Sequence, residues 1–300
     1  MNKQEIFLSS VDNYQLSLAI YKADKSKANI IIVHGMEEHK ERYDEFANYL
    51  SKNDYNVIIS DLRGHGKNAP LLSHIADKNG DKLLVEDQRV IRSFVEKKFP
   101  NLPIYLFAHS MGTIISRVLL QEDSKKYAKV ALSGYVNPNP ASGVGLLLTK
   151  CIKLFKGPKG HSKMITNLAV GQFAKKIKNR KTPLDWLSFN ENNVKTYIHD
   201  SLSGVEFTLA SYVTLFSLLK RMGKAKLYKN TNKELPFLLI GGKEDPCTGY
   251  DKGRKASLAN LKKAGFKDID VITLENMRHE ILNENDKEKV YEDILNFFNK

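Results

Sequence analysis

A serine hydroxyl becomes a strong nucleophile when a neighbouring base takes its proton. Histidine suits that task near neutral pH, and a carboxylate must then hold its ring in the right tautomer. Ser110 lies in the run 104–112 (IYLFAHSMG), where an apolar strand-type segment, 104–108, meets a helix-forming segment, 111–121, almost without a loop. A strand that turns at once into a helix strains its junction residue and presents that side chain over the sheet edge. Strand and helix crowd each other there, so the flanking positions must be small, and they are Ala108 and Gly112. The turn also leaves the Met111 N–H at a helix N-terminus, where unpaired N–H groups and the helix dipole favour negative charge. A nucleophilic oxygen beside such a site suits acyl transfer. The plain alternative for the same pentapeptide is a helix N-cap serine.

Eight histidines compete for the role of base. His279 follows the last strand-type run by a few residues and comes late enough in the chain for the order serine, acid, histidine. His34 and His65 sit in glycine-rich loops before the serine, and His109, next to Ser110, is expected to point elsewhere. His161 and His199 fall in an irregular middle segment, while His39 and His74 read as loop residues. For the carboxylate, Asp245 closes the run 237–246 (FLLIGGKEDP), and two glycines let that backbone turn sharply. Glu244 is its near rival, and Asp245-Pro246 would equally initiate an ordinary turn. A second N–H donor is expected after the first central strand, in the loop beginning His34-Gly35-Met36, where Gly35 permits close approach of the Met36 N–H to Ser110. An ordinary strand-ending turn would use the same His34-Gly35 pair.

Ala108-x-Ser110-x-Gly112 resembles the nucleophile elbow of the α/β-hydrolases, with alanine at the usual first glycine. Four further stretches extend the likeness: His34-Gly35-x-x-Glu38-His39-x-x-Arg42-Tyr43, Asp61-x-Arg63-Gly64-His65-Gly66, Asp245, and His279-Glu280. Together they resemble the monoacylglycerol lipase and lysophospholipase branch, often labelled serine aminopeptidase S33. The likeness reaches the middle of the chain through Phe189 and Thr196-Tyr197-Ile198-x-Asp200-x-Leu202. It implies Ser110 as nucleophile, Asp245 and His279 as its partners, and Met36 and Met111 as oxyanion donors. Residues 61–66, with Glu38 and Arg42, are then expected to brace the loops. No cofactor or metal is implied: the sequence has no His-Glu-x-x-His, no P-loop and no dinucleotide fingerprint.

The elements that must position these residues read as an α/β alternation. Residues 5–9 and 15–21 suit an edge hairpin around Asp12-Asn13. Strands are predicted at 29–33, 57–60, 104–108, 129–133, 237–241 and 269–274, and helices at 43–52, 82–98, 111–121, 254–264 and 286–299. Such alternation argues for a mostly parallel central sheet with helices on both faces. Residues 135–227 show helical segments and no convincing strand, so they read as a cap inserted above the carboxyl edge of the sheet. The expected division is a core of 1–134 and 228–300 with a helical cap at 135–227.

Three hundred residues with 42% hydrophobic content suit one large domain carrying an insertion. The net charge of +13 comes with no zinc-finger, RNP or basic-region pattern, so no nucleic-acid partner is expected. Cys151 and Cys247 lie far apart and suggest neither a disulfide scaffold nor a zinc site. The N-terminus lacks the apolar stretch of a signal peptide, and no apolar run reaches membrane-spanning length, so a soluble, cytoplasmic protein is expected. Residues 135–184 hold ten Lys or Arg and no Asp or Glu. Within them Leu147, Leu148, Cys151, Ile152, Leu154 and Phe155 are expected to share one helical face, with Lys150, Lys153 and Lys156 on the other. That face would cover the site; a lysine-bordered apolar face equally suits an anionic lipid surface. Both point to an apolar acyl ester as substrate. An aminopeptidase of the same fold, or a ligand-binding relative without catalysis, are the competing functions; the oligomeric state has no signature here.

Overall fold

The structure is a computed structural model that describes residues 3–229 and 231–300. Its strands are β1 (Lys3–Ser9), β2 (Gln15–Tyr21), β3 (Ala28–Val33), β4 (Tyr55–Ser60), β5 (Ile104–His109), β6 (Lys129–Ser133), β7 (Phe237–Gly242) and β8 (Ile269–Leu274). They form one eight-stranded sheet in the order β1-β2-β4-β3-β5-β6-β7-β8. β1 and β2 join antiparallel, and from β4 to β8 every pairing is parallel. β3, β4 and β7 are buried along their whole length, as continuous apolar runs covered on both faces must be.

Alternation along the strands divides the interior in two. Ile31, Val33, Leu106 and Ala108 join one core, and Ile30, Ile32 and Phe107 join the other. The first core lies under α2 (Gly80–Lys98) and α3 (Met111–Asp123), and the second under α1 (Asp44–Lys52) and α10 (Lys287–Asn299). α9 (Tyr250–Lys263) starts four residues before its predicted limit of Arg254, after Gly249 in the left-handed region turns the chain out of the Asp245 loop.

The stretch between β6 and β7 has no strand among the described residues. It carries α4 (Ser142–Lys156), α5 (Lys163–Thr166), a π-turn at Asn167–Gly171, α6 (Gln172–Lys175), α7 (Glu191–His199) and α8 (Leu209–Met222). α8 packs on α2, α3 and α4 and adds Leu209, Tyr212, Leu218 and Met222 to the first core.

The single apolar face expected on α4 is split. Gly145 and Thr149 are buried, with Gly145 pressed against the Phe216 ring of α8, and Leu148 and Ile152 follow them inward. Val144, Leu147, Cys151, Leu154 and Phe155 turn outward and are exposed, Leu154 by 82% and Phe155 by 90%. The small residues at 145 and 149 let two helices approach closely, and that contact sets the rotation of α4. No helix among the described residues is long and apolar enough to cross a membrane.

Candidate active site

Ser110 sits between β5 and α3 with φ 50° and ψ −119°, the strained junction that the sequence predicts. Glycine is required at 112, since a Cβ there would stand 2.2 Å from the Val33 carbonyl oxygen. A Cβ on Gly35 would reach the Glu38 carboxylate at 2.6 Å and the Ser110 Cβ at 3.0 Å, so the loop after β3 closes directly on Ser110. Neither the Met36 nor the Met111 N–H finds an acceptor among the described residues, and both residues line the cavity above Ser110.

His279 Nε2 lies 2.8 Å from Ser110 Oγ, and its Nδ1 lies 2.9 Å from Asp245 Oδ2. Asp245 is fully buried, and its Oδ1 accepts the Cys247 N–H at 2.7 Å. Its rival Glu244 is exposed. Burial disfavours the imidazolium of His279, but the Asp245 carboxylate, with Glu280 and Glu38, outweighs burial and raises the ring's pKa above its ordinary value. The Cys247 thiol joins Asp245 and His279 within 4.8 Å, a spacing that could suit a metal, although both ring nitrogens of His279 are already hydrogen-bonded. Burial pushes that thiol's pKa well up.

The loops are braced by charge in the interior. Glu38 accepts the Gly35 N–H at 2.5 Å and the Tyr43 hydroxyl at 2.9 Å. Arg42 grips Glu280 with two hydrogen bonds of 2.6 and 2.7 Å and reaches Glu38 at 3.3 Å. Burial would raise the Glu280 pKa, but Arg42 and Asn193 lower it to about 2. His34 and His65, buried and with lowered pKa values through desolvation, accept the N–H groups of Leu62 and Glu37. His39 spans Glu41 and Asp200 at 2.7 and 2.6 Å, tying the first loop to the β6–β7 stretch. Lys40 and Asp61 meet at 2.9 Å beneath it.

A cavity of about 360 Å³ opens over Ser110. Ile114, Val136, Val170, Phe173, Leu215 and Leu219 give it apolar walls, while Glu37, Tyr197 and His279 bring polar groups to it. No residue of α4 lines it; the walls from the β6–β7 stretch come from Val136, from residues within 167–174 and 183–187, and from Tyr197, Leu215 and Leu219.

The family model described as Serine aminopeptidase, S33 matches residues 24–286. The chain belongs to that family. A rat monoglyceride lipase is 28% identical over 232 residues, 73% of this chain and 65% of that protein, so the match spans under two thirds of that relative. Phospholipase YtpA of Bacillus subtilis (strain 168) is 24% identical across 90% of this chain and 95% of its own. The solved structure of a thermostable carboxyl esterase from Bacillus coagulans superposes with a TM-score of 0.92 at 24% identity, covering 100% of this chain and 98% of that one. The fold is that of the α/β-hydrolases.

In this S33 member, two neighbours of His279 escaped the sequence reading. His109 does not point elsewhere: it is buried, with its ring centroid 4.8 Å from that of His279. Trp186 packs on His279 at 5.1 Å, and Phe173 backs Trp186 at 4.9 Å. Strand alternation could have flagged His109 as inward-facing; nothing local flags Trp186. The remaining histidines stand apart: His161 lies 3.7 Å from Glu206, His199 bonds the Lys195 carbonyl at 2.7 Å, and His74 meets Thr208 at 3.0 Å.

Proposed function

We propose that this protein is a serine carboxylic-ester hydrolase acting on monoacylglycerols, lysophospholipids or similar acyl esters through an acyl-enzyme on Ser110. The observation that carries this reading is the unbroken chain from Ser110 Oγ to His279 to Asp245, with links of 2.8 and 2.9 Å, at the floor of an apolar cavity. The names of its relatives, monoglyceride lipase and phospholipase, support the same substrate class.

His279 takes the hydroxyl proton as Ser110 Oγ attacks the ester carbonyl carbon. The tetrahedral oxyanion forms against the Met36 and Met111 N–H groups, and Asp245 stabilises the imidazolium. His279 then returns the proton to the departing alkoxide, leaving the acyl group on Ser110. A water, deprotonated by the same imidazole, adds to the acyl carbonyl, and collapse restores Ser110 and frees the fatty acid. The reaction needs neutral His279, so activity falls as pH drops through its raised pKa, with an acid limb above the ordinary histidine value of 6.5.

Residues 135–227 form the cap in this proposal, over a core of 1–134 and 228–300. The acids of the cap's second half favour an ester over a peptide substrate, because each is engaged away from the cavity: Asp185 holds Thr182, Glu191 pairs with Lys181, Asp200 with His39, and Glu206 with Thr166. The outward stripe on α4, bordered by exposed Lys150 and Lys156, meets an anionic lipid surface and brings the cavity to its substrate. A reducing, cytoplasmic setting fits the unpaired Cys151 and Cys247.

The test is a panel of p-nitrophenyl esters, glycerides and lysophospholipids beside proline amides, with Ser110→Ala as control and a fluorophosphonate label read at Ser110. Ester turnover that disappears in the variant, with labelling only of the wild type, supports the assignment. Preference for the amides, or labelling that survives the substitution, removes it.

A further inference from the structure

The imidazole of His279 is fixed on its Asp245 side by the core and on its open side by residues 183–190 of the β6–β7 stretch. The Glu280 N–H donates to the Leu187 carbonyl at 2.7 Å. The Arg278 guanidinium donates to the Asp185 carbonyl at 2.6 Å and lies 3.9 Å over the Phe189 ring. Glu284 accepts the N–H groups of Arg278 at 2.9 Å and of Phe189 at 3.0 Å, so one carboxylate joins both strips of chain. These bonds flank residue 186 on both sides and leave its indole little choice of place. Trp186 is half-buried, lines the cavity, and packs on His279 with ring centroids 5.1 Å apart and planes inclined by 39°. His109 packs on the same imidazole at 4.8 Å, so that ring is in contact with an indole and a second imidazole.

We propose that Trp186 is a positioning residue for His279: its indole holds the imidazole in line with Ser110 and favours the imidazolium that forms as Ser110 is deprotonated. This rests on His279 being the base of the reaction proposed above. Aromatic rings at 4.5–7 Å attract beyond their area of contact, and an indole within about 6 Å of a cation stabilises it. The other groups facing His279 are Asp245 and Ser110 at its nitrogens and the Cys247 thiol, which burial keeps protonated, with the carboxylates of Glu280 and Glu38 nearby and Arg42 behind them. His109 stays neutral, because burial holds its pKa well below the usual value. Asp245, Glu280 and Glu38 act through space and survive loss of the indole, so its share of the imidazolium's stability is separable.

Trp186 is the protein's one tryptophan, so tryptophan emission reports this indole and no other. A protonated imidazole quenches an adjacent excited indole by accepting an electron, and a neutral imidazole does not. Wild-type emission is therefore expected to fall with pH along the acid limb of kcat, and to be flat over that range in His279→Gln. Trp186→Leu keeps an apolar cover without a π face. It is expected to lower kcat on the order of 10-fold, part of the ~10²–10⁴ that a placed general base contributes, with KM nearly unchanged. Its acid limb should move to lower pH by about half a unit, and Trp186→Phe should restore most of both. Wild-type kcat and limb in Trp186→Leu, or wild-type emission that ignores pH, overturns the proposal. If the leucine variant does not fold, the emission titration against His279→Gln decides alone. Ser110→Ala separates the two readings: it must abolish ester turnover while leaving the emission titration in place.

Discussion

Two parts of the β6–β7 stretch follow opposite rules. Residues 183–200 are bonded into the loops around Ser110: Leu187 to Glu280, Asn193 to Glu280 and Arg42, Tyr197 to the Glu37 carbonyl, Asp200 to His39. α4 makes its close contact with α8 instead, contributes nothing to the cavity wall, and turns a row of apolar side chains to the outside. One part of the stretch is thus tied to the loops around Ser110, and the other presents its apolar row to the outside. The difference predicts that substitutions in the first act on every substrate, and substitutions in the second act only on substrates held in a lipid surface.

The largest effect belongs to neither part. Ser110→Ala should lower turnover by roughly 10³-fold or more, equally on a soluble ester and on one in vesicles, because members of a triad act as a unit. A variant that kept activity on vesicles alone would mean that a second nucleophile serves the lipid surface. Next comes the pair that anchors the inner part. Arg42→Met leaves Glu280 buried without its cation, at a cost of about 3–5 kcal/mol, measured by urea unfolding at neutral pH. The folded-state pKa of Glu280 is depressed to about 2, so the pair's contribution is full above the ordinary glutamate value and is lost as pH falls through about 2. The gap between wild type and variant should therefore narrow on acidification. Activity on soluble and dispersed esters should fall together, since Glu280 neighbours His279 in both cases.

The elements and the meeting of Ser110, His279 and Asp245 were legible in the sequence because local rules govern them. A strand that becomes a helix at Ser110 needs small residues at 108 and 112, and a continuous apolar run such as 237–241 has little alternative to a buried strand. The choice of Asp245 over Glu244 followed from the family likeness, and burial of the first with exposure of the second gives its physical basis. What stayed hidden depends on contacts between distant residues. The rotation of α4 is set by Phe216, more than sixty residues away, which seats against Gly145. Periodicity grouped Leu147 and Leu154 with Leu148 and Ile152, since a helix rich in apolar residues has no single best face. Trp186 owes its position to hydrogen bonds that tie residues 185, 187 and 189 to residues 278–284, which no pattern near 186 encodes.

Weaker effects test the outer part. Phe155→Asp replaces a side chain that is 90% exposed, so stability should shift by less than about 0.5 kcal/mol and soluble-ester turnover should stay level. Partition onto anionic vesicles should fall by roughly tenfold, the order expected when one aromatic side chain no longer leaves water. Co-sedimentation measures it, and an unchanged bound fraction would take α4 off the membrane.

The smallest effect separates charge from apolar burial on the same helix. Lys150 is exposed on α4 and has no carboxylate partner among the described residues, so its charge is available to a lipid headgroup. Lys150→Gln should weaken binding to vesicles rich in anionic lipid by about fivefold at low salt. The loss should vanish near 1 M salt, where the screening length is only about 3 Å, and should be absent on zwitterionic vesicles throughout. Phe155→Asp should instead weaken binding to both vesicle types, because apolar burial does not depend on headgroup charge. An equal loss for Lys150→Gln on zwitterionic vesicles would assign the contact to apolar burial alone and leave the lysine border with no part in choosing the surface.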